Sequence, residues 1–270
     1  MSERTEYKPG TPSWVDNASP DPAAAAEFYS GLFGWETENV MPAEAPGDYY
    51  MARMRGKDVA ALGSQPMEGV PPAWNTYVTV TDPDATAEAV KGAGGQVLMD
   101  PFDVMEAGRM GVFADPAGAV FRAWKPNQSI GSELVNEDGA FSWSELHTPD
   151  IDGAKEFYGT VFGWQATTME FGGGEYTIWN NTDGEPVSAP PEEGGTGIGG
   201  MMSNENSPEG TPPFWMVYFN AVDVDATIAK AGELGGSVIA PAFDAEGVGR
   251  MAVLGDPQGA AFSVMTPAPM

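Results

Sequence analysis

The sequence predicts an α+β protein: tandem βαβββ modules, four such units in all, forming two curved mixed sheets with helices outside. Three observations carry this. The 270-residue chain repeats itself. Within each repeat, strand-like and helical runs recur in one order. Glycine and Asp-Pro punctuation falls at matching places in both repeats.

The repeat is read directly from the residues. Ser13-Trp14-Val15-Asp16, Pro20-Asp21, Glu27-Phe28-Tyr29 and Phe33-Gly34-Trp35 are answered 129 residues later by Ser142-Trp143-Ser144-Glu145, Pro149-Asp150, Glu156-Phe157-Tyr158 and Phe162-Gly163-Trp164. Later matches stand 141 apart: Trp74 with Trp215, Gly94-Gly95 with Gly235-Gly236, Gly108-Arg109-Met110 with Gly249-Arg250-Met251, and Asp115-Pro116-Ala117-Gly118 with Asp256-Pro257-Gln258-Gly259. The growth in offset places an insertion near Asp183–Gly197, a Gly/Pro/Glu-rich run that reads as a loop. Two modules follow, 8–126 and 136–267, with Pro126–Asp138 as linker, and they are expected to pack as a pseudo-dimer.

Each element has a local reason. Trp14–Ala18 alternates and is rich in strand formers. Asp21 suits a helix N-cap, Pro22 the first helical position, and Gly34 the stop. Strands are predicted near Trp35–Val40, Tyr49–Arg53 and Val59–Leu62. The second half repeats the order: a strand over Trp74–Val80, a helix over Asp84–Ala93 stopped by Gly94-Gly95, then strands near Gln96–Met99, Gly108–Phe113 and Val120–Trp124. Asp115-Pro116-Ala117-Gly118 is suited to the last hairpin turn.

Composition narrows the function. Lys and Arg number 12 against 39 Asp and Glu, a net charge of −27. That field repels phosphate backbones and anionic membrane surfaces, so no nucleic-acid or membrane partner is expected. It suits a cationic small molecule, or simply solubility. With no cysteine, disulfides and thiol chemistry are excluded. Met1–Gly10 is polar, without the apolar core of a signal peptide, so a cytoplasmic protein is expected. One histidine and no cysteine leave no Cys/His pair, and the glycine runs at 172–174 and 194–195 lack a phosphate-loop lysine.

The strand followed by Pro-Asp, a helix with Phe-Tyr and Phe-Gly-Trp, then Gly-Gly and Asp-Pro-x-Gly, resembles the vicinal-oxygen-chelate superfamily, which holds glyoxalases, bleomycin-resistance proteins and dioxygenases. The likeness spans nearly the whole chain and is greatest to two-module actinobacterial glyoxalase-like members. It implies paired βαβββ folds around a concave sheet that holds a metal, a substrate or a drug. In the family a divalent metal is bound by His, Glu or Gln. The matching positions here carry Trp14 and Trp143, Thr76 and Val217, and Arg122 and Ser263, with Ala60–Leu62 and Gly199–Met201 on the remaining strand. No metal ligand and no cofactor is therefore expected, although the family makes a divalent metal the one cofactor to consider.

On the concave face, strand alternation groups Trp143, Glu145 and His147, matched by Trp14, Asp16 and Ala18. Glu145, His147 and Asp16 are the candidate acid–base residues; equally, each carboxylate could be hydrogen-bonded to its neighbours or face a cationic ligand. Trp14, Trp143, Trp215, Tyr176, Trp179 and Met201 are candidate walls of an apolar cup. Arg109 and Arg250 recur in register and could anchor an anion, though pairing with Asp103 and Asp244 is preferred. The expected function is binding or sequestering of an aromatic or cationic compound without the family metal, by a monomer with an internal pseudo-dimer or by a homodimer. The alternative is a glyoxalase-like lyase, isomerase or oxygenase with an unusual or metal-free acid–base site.

Overall fold

In the computed structural model, residues 2–65, 67, 69–171, 174–181, 197–205, 207–208 and 210–268 are described. The first unit is β1 (Pro12–Ser19), α1 (Pro22–Phe33), β2 (Glu36–Asn39), β3 (Tyr49–Met54) and β4 (Lys57–Ser64). The second is β5 (Ala73–Thr79), α2 (Pro83–Gly92), β6 (Gln96–Val104), β7 (Gly108–Ala114) and β8 (Val120–Pro126). The third is β9 (Phe141–Thr148), α3 (Ile151–Phe162), β10 (Gln165–Phe171), β11 (Gly174–Asn180) and β12 (Gly197–Ser203). The fourth is β13 (Phe214–Asn220), α4 (Val224–Glu233), β14 (Ser237–Ala245), β15 (Gly249–Gly255) and β16 (Ala261–Pro267). The βαβββ order thus occurs four times.

Local chemistry sets the helix ends. Asp21 Oδ1 accepts from the Ala24 N–H at 3.0 Å, and Asp150 Oδ1 from Gly153 at 2.9 Å. Gly34 and Gly163 close α1 and α3 in the left-handed region, at φ 75° and 72°, where a Cβ would be strained.

Two eight-stranded sheets form, in the orders β2-β3-β4-β1-β5-β8-β7-β6 and β10-β11-β12-β9-β13-β16-β15-β14. The opening strands of the two units pair antiparallel at the centre (β1 with β5, β9 with β13), flanked in parallel by the closing strands β4, β8, β12 and β16. Four central strands of each sheet therefore supply one concave face. The other face carries the helices and packs against the other module.

That second face builds two cores, each drawn from both modules. One joins Phe28, Tyr29, Trp35 and Trp74 to Phe219 and Phe262. The other joins Phe113 and Phe121 to Phe157, Tyr158, Trp164, Trp179 and Trp215. Both are centred on a fully buried tyrosine. Tyr29 accepts from Trp74 Nε1 at 2.8 Å and donates to Asp256 Oδ2 at 3.1 Å. Tyr158 accepts from Trp215 Nε1 at 3.1 Å and donates to Asp115 Oδ2 at 3.1 Å. The second oxygen of each aspartate accepts backbone N–H groups of its own turn, from Gly118 and Ala119 or from Gln258, Gly259 and Ala260. The Phe-Tyr and Asp-Pro-x-Gly signatures are therefore the two halves of one contact between modules. Trp35 and Trp164 add a second pair, donating to the Gly139 and Gly10 carbonyls at 2.8 and 2.7 Å.

Several expectations need correction. The segment read as a linker is no tether: Ser132, Leu134 and Val135 are fully buried, and the N-terminal residues bond to it through Arg4 N to Glu133 O and Val135 N to Ser2 O. The strand β6 runs past its expected end, and β14 is equally long, because bulges absorb Pro101 and Pro241, which an edge strand tolerates. Trp215, Trp179 and Met201 do not line the concavity. Register decides this: Trp215 and Met201 both pair with Leu146, and Trp179 with Gly199, all on the core-facing side. Thr76 and Val217 also point away from the concavity; Thr76 Oγ1 lies 2.9 Å from Ser144 Oγ at the seam between modules. Of the expected insertion, residues 183–196 lie outside the described residues, as do Gly172 and Gly173. Among the described residues no helix is long and apolar enough to cross a membrane.

Candidate functional site

Alternation along β1 and β9 puts Trp14 and Asp16, and Trp143, Glu145 and His147, on the concave faces. In each module the central group is a buried carboxylate, Asp16 or Glu145, about 5% exposed. Both are held by the same kind of donors. Tyr77 donates to Asp16 Oδ2 at 2.6 Å and Tyr49 to the same oxygen at 3.3 Å, while Trp14 Nε1 donates to Tyr49 Oη at 3.1 Å. In the second module Tyr218 donates to Glu145 Oε1 at 2.8 Å, Tyr176 to Oε2 at 2.7 Å, and Trp143 Nε1 to Tyr176 Oη at 3.0 Å. Gly200, beside Glu145 on β12, makes this possible, since a Cβ there would collide with Tyr176 Oη.

The modules differ in the cation. In the first, Arg122 on β8 donates to Asp16 Oδ1 at 2.8 Å, its guanidinium 5.1 Å above the Tyr77 ring, and Asn75 Nδ2 donates to the same oxygen at 2.9 Å. In the second, those two places hold Ser263 and Met216. The partner there is His147, on the opening strand itself, with Nε2 2.8 Å from Glu145 Oε1 and its ring stacked on Phe214 at 4.6 Å.

These contacts fix the protonation states. Burial opposes the charge of Glu145, but His147 and the two tyrosine hydroxyls outweigh it and hold the carboxyl below the usual glutamate range. Burial first, and the adjacent carboxylate second, pushes Tyr49, Tyr176 and Tyr218 well above the ordinary phenol value. Tyr77 is pushed up in the same way, with Arg122 pulling against it. Arg122 keeps its charge: burial disfavours it, but Tyr77 and Asp16 more than compensate. The tyrosines are therefore neutral donors at both centres, and Glu145 is held in its ionised form.

Such a donor set does not fit a divalent metal. At the first centre a guanidinium already sits on the carboxylate. At the second, neutral phenols are poor ligands and leave only Glu145 and His147, fewer than the three convergent donors such a cation needs. Among the described residues no three His, Asp or Glu side chains converge in a way that could hold one.

Trp14, Trp143 and Tyr176 thus stand at the concave site with Asp16, Glu145 and His147. Trp179, Trp215 and Met201 stand in the core. Arg109 and Arg250 stand elsewhere again, at the far edge of each sheet. Arg109 forms a two-pronged pair with Asp84, at 2.9 and 3.0 Å, and reaches Asp103 at 3.0 Å. Arg250 does the same with Asp225, at 2.8 and 3.0 Å, and with Asp244 at 3.1 Å. Their donors are engaged within the chain by these carboxylates, not turned toward the concave faces. Open clefts of about 410 and 350 Å³ lie beside Arg250 and Arg109; they are shallow edge features away from the carboxylates. Sequence reasoning missed Tyr77 and Tyr218, although both recur at the 141-residue offset, and it read Arg122 only as a lost metal ligand.

Comparison with known proteins agrees with this architecture. The model of the Glyoxalase/Bleomycin resistance protein/Dioxygenase superfamily matches residues 13–122 and 141–264. The chain is 44% identical over 273 residues to "Putative glyoxylase CFP32" of Mycobacterium tuberculosis, covering 100% of this chain and 99% of that one. It is 38% identical over 275 residues to "Anthracycline biosynthesis protein DnrV" of Streptomyces peucetius, covering 97% and 94%. Among solved structures, the Mn(II)-bound glyoxalase from Novosphingobium aromaticivorans has a TM-score of 0.61 at 15% identity, covering 98% of this chain and 89% of that one. The 2,2′,3-trihydroxybiphenyl 1,2-dioxygenase of Sphingomonas wittichii has a TM-score of 0.63 at 13% identity, covering 96% and 91%. With its signature residues paired across two βαβββ modules, the chain belongs to the glyoxalase/bleomycin resistance protein/dioxygenase superfamily.

Proposed function

We propose that this protein binds or sequesters an aromatic or cationic small molecule on the concave face of its second module, without the family metal. The observation that carries this is the donor set itself: the second concave face sets an ionised carboxylate among tyrosine, tryptophan and histidine rings, with fewer than three metal-ligating side chains among the described residues. Such a group orients a ligand by charge and hydrogen bonding while the rings supply contact area. The second module is favoured over the first because its carboxylate is not neutralised by an arginine. The relative named for anthracycline biosynthesis supports an aromatic ligand by analogy alone.

A screen of aromatic and cationic compounds by thermal shift tests the reading, with hits titrated by tryptophan fluorescence against Trp143→Phe. Ligand-induced quenching that disappears in Trp143→Phe is the expected result. Hits that quench the variant as fully as the wild type would place binding elsewhere.

The close approach of His147 to Glu145 favours one second reading, acid–base catalysis on a ligand held at the same face. Turnover of a hit, lost in His147→Ala with binding retained, would establish it.

A further inference from the structure

Counting acceptor sites separates the two carboxylates. An ionised carboxylate offers about four lone-pair positions. Asp16 has four donors: Arg122, Asn75, Tyr77 and Tyr49. Glu145 has three neighbours, Tyr218 and His147 at Oε1 and Tyr176 alone at Oε2. One position on Oε2 is left open among the described residues. The missing donors are those that β13 and β16 would supply, where Met216 and Ser263 stand in place of Asn75 and Arg122.

A buried carboxylate held in its charged form calls for a counter-charge, and the first module supplies one from its own chain. The second module offers only the His147 ring, at Oε1, and among the described residues no lysine or arginine reaches Glu145. Its three Lys or Arg side chains are placed elsewhere: Lys155 lies 3.9 Å from Asp152, Lys230 3.9 Å from Glu233, and Arg250 on Asp225 and Asp244. Segment 182–196 contains no lysine, arginine or histidine, so it has no cationic side chain to offer. The groups facing Glu145 from the packed strands are His147, Tyr176, Tyr218, Trp143, Met216, Gly200 and Ser263.

We infer that the second module takes a guanidinium, amidinium or primary ammonium group of a small molecule onto Glu145 Oε2, over the Tyr218 ring, in the place the first module fills with its own Arg122. Arg122 over Tyr77 is thus an internal image of the bound head group. Among the described residues the second module has such a site and the first does not. This rests on the reading that the second concave face binds a small molecule, and narrows the ligand to a cation.

Isothermal titration with benzamidine, against its neutral isostere benzamide, tests it on the full chain. One benzamidine per chain is expected, with affinity at least about tenfold above benzamide, the scale of a charge-assisted hydrogen bond. Ser263→Arg should fill the position from within and abolish benzamidine binding. Glu145→Gln, which keeps size and shape, should lower it about tenfold or more and guards against a misfolded arginine variant. Benzamide binding as tightly as benzamidine, or benzamidine binding unchanged in both variants, would overturn the inference. So would absence of benzamidine binding while neutral aromatics still quench Trp143, an outcome that leaves the broader function standing. If no compound of either kind perturbs Trp143, both fall together.

Discussion

The two concave faces share a scaffold and differ in one decision: where the countercharge of the central carboxylate comes from. Tyr77 and Tyr218, Tyr49 and Tyr176, and Trp14 and Trp143 make the same hydrogen bonds. In the first module, Arg122 and Asn75 complete the set and turn the cup into a closed polar core. In the second, removal of both leaves a site completed only in part by His147. Duplication preserved the tyrosine donors around the carboxylate and changed the group that answers it. A closed ion pair serves architecture, and an open one can serve recognition.

The comparison breaks or sharpens in several ways. The largest effect is expected for Arg122→Ala, which strands Asp16 as a buried charge and should cost about 3–5 kcal/mol in urea unfolding. The matching Ser263→Ala should stay within about 1 kcal/mol; equal losses would mean that the first centre is not an ion-paired core. Next come Tyr29→Phe and Tyr158→Phe. Each removes an O–H that links a tryptophan to an aspartate of the other module, at about 1–3 kcal/mol. These two should match, because the seam is the part of the molecule that has stayed symmetric. A loss confined to one would show that the modules contribute unequally there.

Effects on binding are comparable or smaller. For any ligand of the second cup, Glu145→Gln should weaken affinity by about 1–3 kcal/mol and Asp16→Asn by less, measured by titration. The reverse order would move the site to the first module. Smallest is the acid limb. Because the folded state holds Glu145 below its ordinary range, its contribution to stability is complete above the unfolded value and is lost as pH falls through the folded one. Glu145→Gln should flatten the wild-type loss of thermal stability at acid pH; an unchanged slope there would show that the carboxylate gains nothing from His147 and the tyrosines.

Period and punctuation made the fold legible. Alternation along β1 and β9 sorted Trp14, Asp16, Trp143, Glu145 and His147 to one face, and repeat spacing revealed the duplication. Register between strands stayed out of reach, because a strand pattern says which residues share a face but not which way that face points. Trp179, Trp215 and Met201 were misplaced for that reason. Leu134 and Val135 were hidden inside a polar, Gly- and Asn-containing run whose burial depends on the other module. Arg109 and Arg250 were recognisable as a recurrent pair, yet their bonds to Asp84 and Asp225, 25 residues away in each case, depend on how the helix start meets the sheet edge.

The seam also constrains the order in which this protein can be finished. Tyr29 and its aspartate are 227 residues apart, whereas Tyr158 and Asp115 are separated by 43. On the ribosome, the second of these contacts can close midway through synthesis. The first must wait until β15 and the turn after it have emerged. Phe28, Trp35 and Trp74 meanwhile wait for Phe219 on β13 and then Phe262 on β16, the side chains that cover them. For a protein made at about 5–20 residues per second, that leaves an aromatic surface uncovered for roughly ten seconds or more. The strongly negative charge of the nascent chain would help to keep it from association during that interval.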